Sequence, residues 1–234
     1  MRSQVFAWVA GITNYTAELE KTKKMRNKLK VLNLYAGIGG NRKLWKNIDV
    51  TAIEINENIA KIYQDFFPDD KVIVTDAHKY LLEHYKEFDF IWSSPPCPTH
   101  SSFRFNICVK FRGTKPVYPD IKLYQEILFL QHHFNDKWVV ENVNPYYTPL
   151  IPAKLIQRHL FWSNFEIKDI DITKDNIRKI QIPELQKKHG FDLTHYKIKN
   201  KRQVLRNCVN SELGLHIFNC AFKIKQMTLE NGKQ

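Results

Sequence analysis

Apolar residues recur along this chain in two rhythms. Short, dense runs at 29–35, 50–53, 71–74, 88–92 and 137–140 have the length and bulk of buried strands. Between them, 56–67 and 120–134 read as helices, the second with Ile121, Tyr124, Ile127 and Leu128 at helical spacing. Asn56 is the expected N-cap of the first. Further elements are a helical stretch from the glycines of 37–40 to about Lys46, strand-like residues at 155–165, and a helical pattern over 204–224 interrupted near 207–213. Strands alternating with helices predict an open α/β sheet.

In such a sheet, ligands and chemistry gather where strands give way to loops at their carboxyl ends. The run 88–92 is stopped by Pro95 and Pro96, which cannot donate to a sheet ladder, and the residue held just past this corner is Cys97. A nucleophile would be placed there, although a Pro-Pro turn beside a structural cysteine reads the same way. The first strand runs into Ala36-Gly37-Ile38-Gly39-Gly40, a turn that lets backbone approach a nucleotide-like ligand. The second ends on Glu54, placed to accept hydrogen bonds from both ribose hydroxyls. Asp76 stands just beyond the third, within reach of an adenine amino group. Each carboxylate also reads as a solvated cap. Together with Gly37 they suit adenosine without a diphosphate, and so S-adenosylmethionine. The run 137–140 delivers Glu141-Asn142-Val143; if it neighbours 88–92, Glu141 and Cys97 face one pocket.

Charge adds a partner. The chain of 234 residues is net +12, which favours a polyanion. Two stretches carry the excess. Residues 98–119, long for a loop, hold Arg104, Lys110, Arg112 and Lys115 and no acidic residue, interleaved with Phe103, Phe105 and Phe111. Residues 174–206 hold ten Lys or Arg against three Asp or Glu, so +7 of the total lies there. The four cysteines show neither CxxC pairing nor metal-ligand spacing, which suits free thiols in a reducing compartment and no metal. The apolar stretch 5–12 is too short to span a bilayer, and no cleavage site follows it, so neither membrane nor secretion is expected.

Five signals thus occur in order: Tyr35-Ala36-Gly37-Ile38-Gly39-Gly40, Pro95-Pro96-Cys97, Glu141-Asn142-Val143, Arg158-His159-Leu160-Phe161-Trp162, and Arg206-Asn207-Cys208-Val209-Asn210. In this order they resemble the cytosine-C5 DNA methyltransferase family, particularly its short phage-type members, from about residue 30 to 222. Amino-directed DNA methyltransferases carry an aromatic residue after Pro-Pro, where this chain has Cys97.

The resemblance implies a Rossmann-like, S-adenosylmethionine-dependent methyltransferase sheet with helices on both faces and a small basic target-recognition insertion. It implies an extension at 1–27, a catalytic domain at 28–165 and 204–226, and a reduced recognition segment at 166–203. Cys97 would be the nucleophile that adds to C6 of a flipped-out cytosine, and Glu141 would engage N3. Arg158, or neighbouring His159, would hold the base oxygen. Tyr35, Ala36, Gly37, Gly39, Gly40, Glu54, Asp76, Pro95 and Asn207 would hold S-adenosylmethionine, without metal. Ser101, Arg104, Lys110, Arg112, Lys187, Lys188, Lys199, Lys201 and Arg202 would contact double-stranded DNA. A monomer in a bacterial cytoplasm, phage- or prophage-encoded, is the implied setting, with any restriction endonuclease partner unidentified. The chain departs from the family in having Asn33 where an acid is frequent, Pro98 where glutamine is frequent, and Arg158-His159 in place of two arginines. The same residues would also serve an RNA cytosine-C5 methyltransferase, and a catalytically idle nucleic-acid-binding protein is the alternative of another class.

Overall fold

The computed structural model describes residues 28–172 and 180–222. The expected extension at 1–27, Lys174 and the chain beyond 222 lie outside them. Among the described residues, seven strands form one sheet: β1 (Leu29–Leu34), β2 (Ile48–Ile53), β3 (Lys71–Ile73), β4 (Phe90–Ser93), β5 (Lys137–Val143), β6 (Lys154–Ile156) and β7 (His159–Ser163). Their order is β3-β2-β1-β4-β5-β7-β6. β1 to β5 run parallel, while β7 is antiparallel to both β5 and β6. The direction in which successive strands are added reverses between β1 and β4, so a crevice opens at the carboxyl ends of those two strands. The glycine turn and Cys97 both leave the sheet there.

The central strands are apolar on both faces because both faces are covered. Leu32, Leu34, Ile91, Trp138 and Val140 pack with Leu81, Leu123, Ile127 and Leu130 of α2 (Ala77–His84) and α3 (Lys122–His133). Val31, Phe90, Trp92 and Val139, one residue out of step, pack on the other face with Trp45 and with Leu213, Ile217 and Phe218 of α6 (Ser211–Phe222). α1 (Glu57–Phe66) starts at Asn56, whose side chain accepts from the N–H groups of Asn58 and Ile59, as the sequence predicts.

Three local expectations need correction. The stretch after the glycines to Lys46 is a chain of turns, not a helix. A helix of so few residues is costly to nucleate, and tertiary contacts hold the turns instead. Asn41 and Asn33 exchange side-chain hydrogen bonds, the shorter 2.8 Å, and Trp45 Nε1 donates to the Gly214 carbonyl at 3.1 Å. Asn33 of this buried amide pair is the position at which the resemblance leads one to expect an acid. Second, residues 155–165 form a hairpin of two short strands, with Gln157 at φ 56° in its turn. Third, within the long segment 98–119 the chain winds as a π-helix from Arg104 to Phe111.

The basic segment around 180–207 comprises α4 (Ile182–His189), which ends at Gly190 with φ 64°, and α5 (Lys201–Asn207). Its apolar side lies against α1 and the glycine turn. Leu185, Phe191, Leu193 and Leu205 form one buried cluster with Ile38 and Ile62. Lys43 donates to the carbonyls of His189 and Gly190, and Tyr196 donates to Asp65 at 2.9 Å.

Candidate active site

Cys97 and Glu141 come from neighbouring parallel strands, β4 and β5. The residue that joins them is Asn142: its Nδ2 donates to the Pro95 carbonyl at 2.9 Å. This bond clamps the proline corner onto the end of β5 and sets Cys97 beside Glu141. Ser94 adds a second tie, since its hydroxyl hydrogen-bonds Glu141 and receives Trp92 Nε1–H at 2.9 Å. Past Cys97 the chain is held at its base. The N–H groups of His100 and Ser101 both donate to the Cys97 carbonyl, and Tyr146 N–H donates to the His100 carbonyl.

Burial dominates the electrostatics of this corner. It pushes the Glu141 carboxyl up to about 7, against the smaller lowering by Ser94 and Arg158. A carboxyl in that range is present in both forms at neutral pH and can therefore give up a proton or share one. Burial first, and Glu141 second, push the Cys97 thiol up, while Arg158 pulls it down. The thiol form is thus favoured until the charge around it changes. Protonating Glu141 removes the carboxylate that works against the thiolate.

Arg158 and His159 fall in different surroundings. Arg158 sits at the β6–β7 hairpin, where an Nη donates to the Arg206 carbonyl at 3.1 Å and its charge acts on both Cys97 and Glu141. His159 is on β7, its Nε2 3.6 Å from Glu141 Oε1. Burial and the Arg158 charge lower its pKa to about 3, so it is neutral. Of this pair, Arg158 is the cation.

The glycine turn lies across the crevice. Gly37 takes φ 56°, and a Cβ there would meet nothing within 4 Å, so the space above the turn is open to a ligand. Gly40 is different: a Cβ would come within 2.8 Å of Cys208 Cβ and of the Val209 carbonyl. The turn and the Arg206–Asn210 stretch are therefore in direct contact, with Asn207 exposed beside them, its Oδ1 accepting from Gln203. Glu54 accepts from Gly37 N–H at 3.0 Å and Asn56 N–H at 2.9 Å, which fixes the turn against the end of β2. Asp76 caps α2 by accepting from Lys79 N–H. The residues fit an adenosine-type ligand, because two uncovered apolar side chains stand beside these carboxylates: Ile55, 67% exposed, and Val74, 48% exposed. Sequence reading passed over both; their signal was an apolar residue next to each strand-end acid.

Other site residues were also missed. Asn142 and Ser94 lie inside motifs already noted but serve as struts. Glu126, buried on α3, accepts from Tyr35, His78 and Ser93; a glutamate at the spacing of Leu123, Ile127 and Leu130 was its signal. Among the expected nucleic-acid contacts, Lys187 and Lys199 are exposed. Lys201 donates instead to the Thr194 carbonyl and Arg202 to the Ile180 carbonyl. No helix among the described residues is long and apolar enough to cross a membrane.

The strand order β3-β2-β1-β4-β5-β7-β6 with an antiparallel β7, and helices on both faces, is a Rossmann-like methyltransferase fold. Residues 29–143 match the family model described as C-5 cytosine-specific DNA methylase. The structure is similar to the methyltransferase EhMeth of Entamoeba histolytica, with 13% identity over 86% of this chain and 100% of that one and a TM-score of 0.50. It is also similar to a DNMT2 variant of Spodoptera frugiperda, 26% identical over 50% of this chain and 36% of that one, TM-score 0.35. A third is an S-adenosylmethionine-dependent methyltransferase of Agrobacterium tumefaciens, 14% identical over 58% and 45% of the two chains, TM-score 0.36. None of the curated proteins matches the chain.

Proposed function

We propose that this protein methylates C5 of cytosine in double-stranded DNA, with Cys97 as covalent nucleophile. The observation that carries the reading is the pairing of Cys97 with a buried Glu141 whose carboxyl is raised to about 7. C5 of cytosine is too weak a nucleophile to take a methyl group unaided. Addition of the Cys97 thiolate to C6 forms an S–C6 bond and turns the ring into an enamine. Glu141 gives its proton to N3, or shares it, and so stabilises the charge that develops there. Arg158 holds the base oxygen. S-adenosylmethionine, when bound, supplies the electrophilic methyl carbon that C5 attacks. Loss of the C5 proton then expels the Cys97 sulfur and restores the aromatic ring.

The cofactor would lie over Tyr35, Ala36, Gly37, Gly39 and Gly40, with its ribose on Glu54, its adenine between Ile55 and Val74 near Asp76, and Pro95 and Asn207 at the rim. DNA is the substrate named in the matched family's description. The target base must leave the duplex, at a cost of a few kcal/mol.

Duplex DNA carrying 5-fluorocytosine tests the chemistry, because fluorine at C5 cannot be removed as a proton and elimination stops. With S-adenosylmethionine the protein should become attached to such DNA and remain so under denaturing electrophoresis. The adduct should map to Cys97 and vanish in Cys97→Ala, while Cys108→Ala, Cys208→Ala and Cys220→Ala retain it. An adduct on Cys108 would overturn the assignment, and adducts on fluorinated RNA alone would overturn the substrate.

A further inference from the structure

The reaction above makes no use of Glu126, although it is one of the most deeply buried charged residues described, at 1% exposure. Three donors converge on it. Tyr35 O–H donates to Oε1 at 2.6 Å and Ser93 O–H to Oε2 at 2.6 Å, distances of charge-assisted bonds. His78 Nδ1 lies 3.0 Å from Oε1. These donors belong to three different strand ends. Tyr35 follows β1 and leads into the glycine turn, His78 sits two residues after Asp76, and Ser93 closes β4 four residues before Cys97.

Tyr35 adds a second observation. It is a non-glycine residue at φ 55°, directly before Ala36 and Gly37. Such a conformation is sparsely populated and persists where the surroundings over-determine it. Here the phenol is fixed by Glu126, and burial and that same carboxylate push its pKa far up, so it remains a donor at every accessible pH. We infer that Glu126 is the positioning residue of the site: one buried carboxylate that sets the glycine turn through Tyr35 and the Cys97 arm through Ser93, so that methyl donor and nucleophile are aligned by a common anchor. The inference rests on the S-adenosylmethionine reading of the crevice.

Glu126→Gln is nearly isosteric, but it removes the negative charge and leaves an amide nitrogen that only donates, so one hydroxyl must turn from donor to acceptor and both tethers lose their charge assistance. Tyr35→Phe cuts the turn's tether alone and keeps the ring. Calorimetric titration with S-adenosylmethionine, together with rates of 5-fluorocytosine trapping at saturating cofactor, separates the two arms. Tyr35→Phe should bind about tenfold more weakly, and its trapping rate at saturating cofactor should fall less than that of Glu126→Gln. Glu126→Gln should both bind at least tenfold more weakly and trap several-fold more slowly, because the Ser93 tether is weakened as well. The double variant should bind no more weakly than Glu126→Gln, since both changes cut one path. A purely structural role would lower the melting temperature and leave the affinity of the folded protein unchanged. Wild-type affinity in Tyr35→Phe, which keeps the inference testable should Glu126→Gln not fold, overturns the tie to the turn. A wild-type saturated rate in Glu126→Gln overturns the tie to Cys97. A wild-type protein that binds no S-adenosylmethionine overturns the cofactor reading itself, a result distinct from either.

Discussion

At Glu141, burial has a consequence for the folded state that is separable from the proposed proton transfer. Its carboxyl titrates near 7 in the folded protein, against 4.5 ordinarily. Between those values the folded chain keeps a proton that the unfolded chain releases. The stability it contributes is therefore present in full below about pH 4.5 and is lost as pH rises through about 7, some ~3 kcal/mol in all. Urea melts at about pH 5 and about pH 8 should show wild type losing more stability than Glu141→Gln by that order. His159, held low at about 3, gains the protein stability as pH rises through the acid range, but it does so in both proteins and cancels in the comparison. Equal losses would mean that Glu141 ionises normally and cannot serve as the proton source for N3. Cys97 and Glu141 were readable from sequence because a rigid Pro-Pro corner and a strand-end acid each leave a local signature. For Glu126 the spacing marks only burial, because a single acid on an apolar helix face gives no hint of the hydroxyls waiting for it across the sheet. Nor does Arg158-His159 say which of the pair carries the charge; that follows only from the burial of His159 on β7.

Elements were legible where burial alone decides them. The central strands are apolar on both faces, and Asn56 announces the start of α1, so both were expected where they lie. α2 was overlooked because only Ala77 and Leu81 of its eight residues are buried, too few to mark a face. The supposed helix after the glycines failed for the opposite reason, since its shape is dictated by contacts distant in sequence. Gly40 tests that dependence. A methyl group there would press on Cys208 Cβ and the Val209 carbonyl at 2.8 Å, and the carbonyl belongs to backbone that cannot easily yield. Gly40→Ala should cost roughly 1–3 kcal/mol in denaturant unfolding, as overpacking of a tight site does. Gly37→Ala meets no neighbour but must adopt φ 56°, so it should cost about 1–2 kcal/mol through backbone strain and weaken cofactor binding as well. If Gly40→Ala proved neutral, the packing of the turn on the Arg206–Asn210 stretch would be looser than its geometry implies.

Over the whole molecule, the +12 charge is not concentrated in one place. The segment 180–207 turns its apolar side onto α1 and the glycine turn, and two of its cations, Lys201 and Arg202, hold backbone carbonyls of the same segment. Lys187, Lys197 and Lys199 remain exposed. The stretch after Cys97 keeps Lys110, Arg112 and Lys115 with no acid between them, beside outward-facing Phe111 and Tyr118, 83% and 95% exposed. Cations interleaved with exposed aromatics suit phosphate contact together with base contact. We therefore propose that the two stretches serve DNA differently, the segment 180–207 as a phosphate rail and 103–118 as the part that meets the bases beside Cys97. Replacing Lys187, Lys197 and Lys199 with alanine should weaken binding equally on all sequences and lower the salt slope by up to about 0.9 for each phosphate that is no longer neutralised. Replacing Phe111 and Tyr118 with alanine should leave that slope unchanged while reducing 5-fluorocytosine trapping and the preference for target over non-target duplex. Binding isotherms on both duplexes across a salt series decide the matter. A lowered slope in the aromatic variant, or an unchanged one in the lysine variant, would reverse the two roles.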